Sequence, residues 1–334
     1  MTNKLARLIE LIHKMPEDCL DKALEQISTL VDESEKEKVK REPAPPCPHC
    51  ESKSKRNGQS KWGQRYLCIS CGKTFGRTSR SAMSNSRFGE AVWKQVIRDT
   101  IGGVSLDSTA SALKMSHSTA FNMRHKILLA IDASEQVDPT VLSGVCELDD
   151  TYVLESFKGR KLPEGFWRKP RKHGAVAQKR GLSGEYIAIC TATERGGVAM
   201  AKTVNRATPS REEVQAVYSD RIAAESLVLC DGAKSFAVLA QTCGCPVVDV
   251  FEDGRQSGFY HINTANGFHS FIKDRYNQYR GVSTKYLNRY NGLFAKLFRG
   301  GENQVDEIYK MLCPGVNSRH RTVNDVKNLD LLRV

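Results

Sequence analysis

The pattern of apolar and polar positions divides the chain into helical stretches followed by a part that contains strands. Apolar residues recur at helical spacing over residues 1–33 and again over residues 87–132. Residues 34–46 lack apolar periodicity and end in prolines, which is typical of an exposed linker. The pattern therefore predicts an N-terminal helical segment, a linker and a second helical region, in that order.

From about residue 143 the pattern changes to that of a mixed α/β sheet. Short apolar runs predict five strands, at VCELDDTYV, EYIAICTATE, GVAMAKTVN, SLVLCD and CPVVDVF. Helices are predicted at SREEVQAVYSDRIAA, directly after SLVLCD, over residues 264–279 with Thr264 as the cap, and at YLNRYNGLFAKLFR and NQVDEIYKMLC. Strands in series, followed by alternating strands and helices, favour an α/β sheet covered by helices.

Two helices in the region 87–132 have the outline of a helix-turn-helix. Ser108 is placed to cap a short first helix, and residues 114–116 form the turn. A second helix follows and carries Arg124 and Lys126. In a helix-turn-helix this second helix can enter the major groove of DNA. An ordinary helical hairpin has the same outline, and the basic segment that precedes it favours the DNA-binding alternative.

Composition narrows the class of partner. The chain has 334 residues and a formal net charge of +12, so a polyanion is the first candidate, because neutralised phosphates release their counterions. Charge alone does not choose among DNA, RNA and a membrane surface. No apolar run of about eighteen residues and no signal peptide is present in the sequence, so an intracellular protein without a membrane partner is expected.

Four of the eleven cysteines form two CxxC pairs with the spacing of zinc ligands. These are Cys47, Cys50, Cys68 and Cys71. Two such pairs can present four thiolates to one tetrahedral Zn2+, whose binding would supply much of the folding free energy of a segment as short as 47–80. A purely structural ribbon is one interpretation, and contact with DNA phosphates is the other. The basic residues that favour DNA contact include Lys53, Lys55, Arg56, Lys61 and Arg65.

Acidic residues interrupt two of the apolar strands, where an unpaired charge is costly. Asp149 lies within VCELDDTYV and Asp231 follows SLVLC. If the two strands are neighbours, both carboxylates can bind Mg2+ or Mn2+. Each aspartate alone is more typical of a hydrogen-bonding residue in a turn or at a strand end, and a third ligand reverses that preference. Asn266 and Lys273 are seven residues apart on a predicted helix and share one face, where they can offer a carbonyl oxygen to the metal and a cation to a phosphate.

With these motifs the sequence resembles the zinc-ribbon transposases of bacterial insertion sequences, which have an ISXO-like transposase domain and a D-D-(N or E)-K catalytic set on an RNase H-like fold. The resemblance extends from Cys47 to about Arg299. It rests on CPHC and CISC, STAFNMRHKI, ELDDTYV, VLCDGAKSF, HINTANGFHSFIK and GVSTKYLNRY. It implies that Asp149 and Asp231 are the catalytic aspartates, that Asn266 is the third metal ligand, and that Lys273 is the associated basic residue.

The resemblance also implies a domain organisation. It predicts a zinc ribbon over 47–80, a DNA-binding helix-turn-helix over 87–132, and an RNase H-like catalytic domain over 143–300. A basic insertion over 158–181 either orders on DNA or stays a solvated loop, and residues 301–334 form a C-terminal helix and tail.

The function implied is that of a DNA transposase that binds transposon ends and catalyses Mg2+-dependent strand cleavage and strand transfer. Its expected state is a homo-oligomer that bridges two DNA ends in a bacterial nucleoid. Asn266 is neutral where many relatives have Glu, so Asp253 and Asp274 are candidate additional ligands, and the residues after Asp149 also depart from the family pattern. Two alternatives stay open: a transposase-derived DNA-binding regulator without catalysis, and a nuclease without strand transfer.

Overall fold

The computed structural model describes residues 43–60, 63–159, 161–162, 164–169, 176–232, 235–250 and 258–313, together with Cys19 and Val326. The chain divides into two compact units, Met1–Arg77 and Thr78–Val334. Cys19 apart, the helical segment predicted over 1–33 lies outside the described residues, as do Lys61 and Asp253. Within the described part, no helix is long and apolar enough to cross a membrane.

The described part of the first unit is a small antiparallel sheet. Its strands are β1 (Ser54–Ser60), β2 (Gly63–Cys68) and β3 (Thr74–Gly76), in the order β1-β2-β3. The rings of Tyr66 and Phe75 stack with centroids 5.6 Å apart and are buried together with Cys47 and Cys68. So few buried side chains make a core that is too small to be stable without further help.

Three helices open the second unit. They are α1 (Glu90–Ile101), α2 (Leu106–Ala112) and α3 (His117–Val137). The cap of α2 is Ser105 rather than the predicted Ser108, because the Ser105 hydroxyl accepts the backbone N–H of Ser108. Ser116 caps α3 in the same way by accepting the N–H of Thr119. Helix α3 contributes nine buried residues to the unit, which include most of its central turns.

The second unit contains a mixed five-stranded sheet. Its strands are β4 (Val145–Leu154), β5 (Tyr186–Glu194), β6 (Ala199–Arg206), β7 (Leu227–Cys230) and β8 (Val247–Asp249). They lie in the order β6-β5-β4-β7-β8, with β5 antiparallel to its two neighbours and β4, β7 and β8 parallel. A long first strand at the centre, flanked by a meander on one side and parallel strands on the other, is the RNase H-like topology, and the predicted fold class is confirmed.

Helices cover both faces of this sheet. The remaining helices are α4 (Arg211–Tyr218), α5 (Leu239–Thr242), α6 (Asn263–Gln278), α7 (Leu287–Phe298) and α8 (Gln304–Leu312). On one face Leu148 and Cys190 pack with residues of α4 and α5, and on the other Ile187 and Ile189 pack with residues of α6 and α7. Because side chains alternate along a strand, a residue next to Leu148 faces α6.

Candidate active site and metal sites

Asp149 and Asp231 lie side by side at the centre of the sheet. Strands β4 and β7 are parallel with Leu148 opposite Cys230, so the two aspartates follow at matching positions. Their carboxyl groups are close enough for each to affect the pKa of the other. Burial, and then the negative charge of Asp231, raise the pKa of Asp149 to about 7, and burial also raises the pKa of Asp231. Two carboxyl groups that repel each other in this way fit a divalent cation, which would offset both negative charges.

His269 on α6 contacts this pair from the helical side. Its Nδ1 lies 3.5 Å from Asp149 Oδ2, and its Nε2 lies 2.6 Å from the hydroxyl of Thr191. Burial, and then the charge of Lys273, lower the pKa of His269 to about 4, so the imidazole is neutral at pH 7. Thr191 donates its single hydroxyl proton to the main-chain oxygen of Asp149 at 2.7 Å. His269 Nε2 is therefore the donor to Thr191, and the Nδ1 lone pair faces the Asp149 carboxyl.

Helix α6 also carries Asn266 and Lys273, which were predicted from the sequence. Asn266 precedes His269 by three residues and Lys273 follows it by four, so all three lie on one helical stripe. Asn266 and Lys273 are exposed, whereas His269 is buried. A cleft of about 430 Å³ opens beside this stripe. It is lined by Asp150, Thr151, Tyr152, Gly181, Leu182, Tyr186, His269 and Lys273. The catalytic roles of Asn266 and Lys273 stay predictions.

Two further aspartates lie near the pair and were not predicted. Burial raises the pKa of Asp150 to about 6, and among the described residues its Oδ1 atom has no hydrogen-bond partner. Asp249 pairs in register with Cys230, and its negative charge contributes to the raised pKa of Asp231. Asp274, a candidate additional ligand from the sequence, is exposed on α6. The sequence could have identified Asp150 because it follows Asp149 directly. Asp249 could have been identified because it lies within a predicted apolar strand, as Asp149 does.

The four predicted zinc ligands come together in the first unit. The sulfur atoms of Cys47, Cys50, Cys68 and Cys71 all lie within 4.8 Å of one another. The Cys47 and Cys71 sulfurs are 3.7 Å apart, and those of Cys50 and Cys68 are 3.5 Å apart. Tetrahedral Zn2+ with Zn–S distances of about 2.3 Å requires sulfur separations of about 3.8 Å. The cysteine cluster is thus confirmed, and its geometry is compatible with a zinc ribbon.

Comparison with known proteins finds a transposase family match over the segment that contains the aspartate pair. Residues 141–296 match the ISXO2-like transposase domain. This segment contains Asp149, Asp231, Asn266 and Lys273, and the resemblance to that family is confirmed. The chain is also 26% identical over 250 residues to an uncharacterized protein in transposable element ISH50 of Halobacterium salinarum, with 73% of this chain and 82% of that protein covered.

Solved Mos1 transposase structures are similar at a lower level. A pre-cleavage Mos1 transpososome matches with a TM-score of 0.26 and 11% identity, over 69% of this chain and 79% of that one. The mariner Mos1 paired end complex with Mg matches with a TM-score of 0.28 and 13% identity, over 75% and 83%. Scores this low do not establish a shared fold, and the fold assignment rests on the strand order of the transposase domain.

The predicted DNA-contacting residues fall into different environments. On the ribbon, four of these residues are exposed: Lys53, Lys55, Arg56 and Arg65. Their contact with DNA stays a prediction. Arg124 and Lys126 lie on α3, and Lys61 lies outside the described residues. Exposure is necessary for a phosphate contact, because the cation must reach the backbone of the DNA.

Arg124 is the residue for which the structure corrects the sequence prediction. Its side chain is buried, it donates from Nη2 to the main-chain oxygen of Val104 at 2.6 Å, and its guanidinium lies 5.6 Å from the centre of the Tyr279 ring. These contacts tie α3 to the loop before α2 and to the segment after α6, and they leave the guanidinium buried where DNA cannot reach it. Lys126, two residues later, is half-buried, and burial lowers its pKa.

The described parts of the basic insertion 158–181 are attached to residues next to β4 and β5. Arg168 donates to buried Glu155 just after β4. Nearer β5, the carboxylate of buried Glu185 accepts the backbone N–H groups of Gln178 and Lys179 at 2.7 and 3.0 Å. Trp167 remains about half exposed beside Lys179, whose ammonium lies 5.3 Å from the ring centre. The insertion is thus anchored at both ends in the described residues.

Proposed function

We propose that the protein is a DNA transposase of an insertion sequence, which cleaves transposon ends and joins them to target DNA with Mg2+ or Mn2+. The observation that carries this proposal is the side-by-side position of Asp149 and Asp231 at the centre of an RNase H-like sheet, within the matched transposase domain. Two neighbouring half-buried carboxyl groups with raised pKa values are destabilising when ionised unless they bind a cation, so their presence at this position supports a metal-dependent role.

The chain's own residues have separable tasks in this mechanism. Asp149 and Asp231 would hold the divalent cations, and Asn266 would add its side-chain carbonyl oxygen. When bound, such ions activate the attacking hydroxyl and stabilise the leaving oxygen of an in-line phosphoryl displacement. Lys273 would bind a phosphate oxygen of the scissile strand, and His269, which packs beside Asp149, would limit the orientations open to the Asp149 side chain. Most of the catalysis then comes from electrostatic positioning.

Two displacements at this site account for the proposed reaction. In the first, water attacks a phosphodiester at the transposon end and releases a 3′-hydroxyl. In the second, this 3′-hydroxyl attacks a phosphodiester of the target. A new phosphodiester bond joins the transposon end to the target, and a target 3′-hydroxyl is released. No covalent intermediate with the protein is needed, because each step exchanges one phosphate–oxygen bond for another.

The remaining parts of the proposal concern DNA binding and assembly. Zn2+ on the four cysteines would stabilise the ribbon, whose exposed cations would contact end DNA together with the exposed first turn of α3. We further propose a homo-oligomer that bridges two ends and acts at the nucleoid. The net charge of +12 supports a DNA partner.

The test is a cleavage and strand-transfer assay on DNA from both flanks of the gene, with Mg2+, for the wild type and Asp149→Ala. Asp138→Ala, at an exposed aspartate after α3, is the matched control. Joined products are expected for the wild type and the control, and none for Asp149→Ala, which should still bind DNA. Cleavage that survives in Asp149→Ala would overturn the proposed site.

A second candidate function is favoured by one residue. Asn266 is neutral, so the metal site has one carboxylate fewer than a D-D-E set would have. DNA binding by the wild type without any cleavage would point to a transposase-derived regulator. Cut but unjoined products would point to a nuclease instead.

A further inference from the structure

The carboxylate of Glu147 caps the helix that carries Asn266 and Lys273. Glu147 is fully buried on β4, and its Oε2 accepts the backbone N–H groups of Thr264 and Ala265 at 2.7 and 3.1 Å. These two groups belong to the first turn of α6, which receives no side-chain hydrogen bond from its own N-cap residue, Ile262. A residue distant in sequence therefore supplies the partner that the helix end lacks.

Arg195 holds this carboxylate and the segment that leads into α6. Its Nε donates to Glu147 Oε1 at 2.7 Å, and its Nη2 donates to the main-chain oxygens of Phe259 and His261 at 2.7 and 3.1 Å. The guanidinium also lies 4.6 Å from the centre of the Phe259 ring. The buried charge of Glu147 is thus paired, and the start of α6 is fixed by side chains from β4 and from the turn after β5.

Lys158 occupies the opposite end of the same helix. Its ammonium donates to three main-chain oxygens beyond the last turn of α6, those of Tyr279, Arg280 and Gly281, at 3.3, 3.0 and 2.8 Å. A carboxylate at the N-terminus and an ammonium at the C-terminus both complement the helix dipole. Glu147 lies on β4 and Lys158 lies four residues after the end of that strand, so one chain segment holds α6 at both ends.

We propose that Glu147 and Lys158 are positioning residues that clamp α6 along β4 and so set the register of Asn266 and Lys273 against Asp149. The inference rests on the proposed function, since it assigns these residues a purpose in the same metal site. A slip of one residue along α6 would shift its side chains by about 1.5 Å and turn them by about 100°. A misplacement of about 1 Å in an active site can lower a rate about 100-fold.

Two variants of the full-length protein test this inference from opposite ends of the helix. In Glu147→Gln the amide cannot accept hydrogen bonds from both Arg195 and the helix, because one of its two oxygens has become an NH2 donor. Lys158→Met keeps the length of this exposed side chain but removes all three hydrogen-bond donors. Glu135→Gln is the control, since Glu135 also accepts a backbone N–H and an arginine, at 2.7 and 2.8 Å, without contacting α6.

Two measurements are made on each variant: amide hydrogen exchange over 262–281, and the rate and DNA affinity of Mg2+-dependent cleavage. We expect faster exchange at the first turn of α6 in Glu147→Gln and at its last turn in Lys158→Met. Cleavage at saturating DNA should fall about 10- to 100-fold in both, with DNA affinity unchanged. The control should match the wild type in both measurements.

Each outcome decides the proposal. Unchanged exchange in both variants would overturn the clamp, and faster exchange with a wild-type cleavage rate would overturn its positioning role. The same loss of cleavage in Glu135→Gln would show general destabilisation and overturn it as well. If the wild type itself did not cleave, the proposed function would fail, whereas faster local exchange in the two variants would still support the clamp.

Discussion

Nδ1 of His269 lies 3.5 Å from Oδ2 of Asp149, which joins helix α6 to the central strand β4 at the level of the proposed metal site. The other ring nitrogen of His269, Nε2, donates a hydrogen bond to the hydroxyl of Thr191. That hydroxyl donates in turn to the main-chain oxygen of Asp149. The imidazole therefore has a fixed orientation, and it presents a lone pair to the carboxyl group. This lone pair can accept a hydrogen bond from Asp149 while the carboxyl is protonated, as its pKa of about 7 allows in the metal-free protein.

Replacement of His269 should separate orientation from binding. We expect His269→Ala to lower the cleavage rate about 10- to 100-fold, the usual effect of losing a partner of a metal ligand, without changing DNA affinity. His269→Asn places a polar atom near Nδ1 and should recover more of the rate than His269→Gln, whose amide reaches the position of Nε2. Single-turnover cleavage beside a DNA-binding titration measures both effects. An alanine variant as fast as the wild type would refute the role of His269.

The raised pKa of Asp149 predicts that the residue needed for cleavage lowers the stability of the metal-free fold at neutral pH. Its pKa is about 7 in the fold against an ordinary value of 3.8, so between these pH values the folded protein binds more protons than the unfolded chain. The free energy of unfolding should therefore fall as the pH rises from about 4 to 7. Asp149→Asn removes this loss and should raise the Tm of the metal-free protein at pH 8 by at least about 2 °C.

At pH 5 the same substitution should have little effect, because Asp149 is already protonated there. Thermal melts in EDTA at the two pH values measure the difference, and Asp138→Asn serves as the exposed control. Adding Mg2+ at pH 8 should raise the Tm of the wild type more than that of Asp149→Asn. An Asp149→Asn protein that is less stable than the wild type at pH 8 in EDTA would contradict the assignment.

Asn266 should control the metal requirement. Asn266→Ala is expected to lower cleavage about 10- to 100-fold, whereas Asn266→Glu should lower the Mg2+ concentration needed for half-maximal cleavage, because a carboxylate binds a hard cation more strongly than an amide does. Asn277→Ala, on the same helix about 16 Å along its axis, is the control. Rates measured across a Mg2+ titration would refute the role of Asn266 if the alanine variant behaved like the wild type.

Loss of the cysteine cluster should affect the first unit alone. Cys47→Ser is expected to release about one Zn2+ per chain and weaken binding to end DNA, because the ribbon has only a few buried side chains to hold it together. The melting transition of the second unit should stay unchanged. Metal analysis, DNA titration and calorimetry provide the three readouts, with Cys243→Ser as a control outside the cluster. Wild-type DNA affinity in the zinc-free variant would separate the ribbon from DNA binding.

Local sequence patterns predicted the elements of the fold well. All five strands of the large sheet occur where apolar runs placed them, because burial on both faces demands continuous apolar residues. Capping was predicted less well. Ser105 rather than Ser108 caps α2, and Glu147 takes the place predicted for Thr264 at the start of α6. Such a partner is about 117 residues away in sequence, where no local rule can find it.

The sequence by itself determined the class of chemistry. The CxxC spacing predicted the sulfur cluster, and aspartates inside apolar strands predicted the acidic pair, because both signals come from residues whose burial or pairing is costly without a metal. Only the tertiary structure decided which neighbours these residues have. It buried Arg124, brought His269 onto Asp149, and placed Glu147 and Lys158 at the two ends of α6. The physical reason is that charge, burial and hydrogen bonding depend on contacts across the fold, whereas periodicity depends on neighbours along the chain.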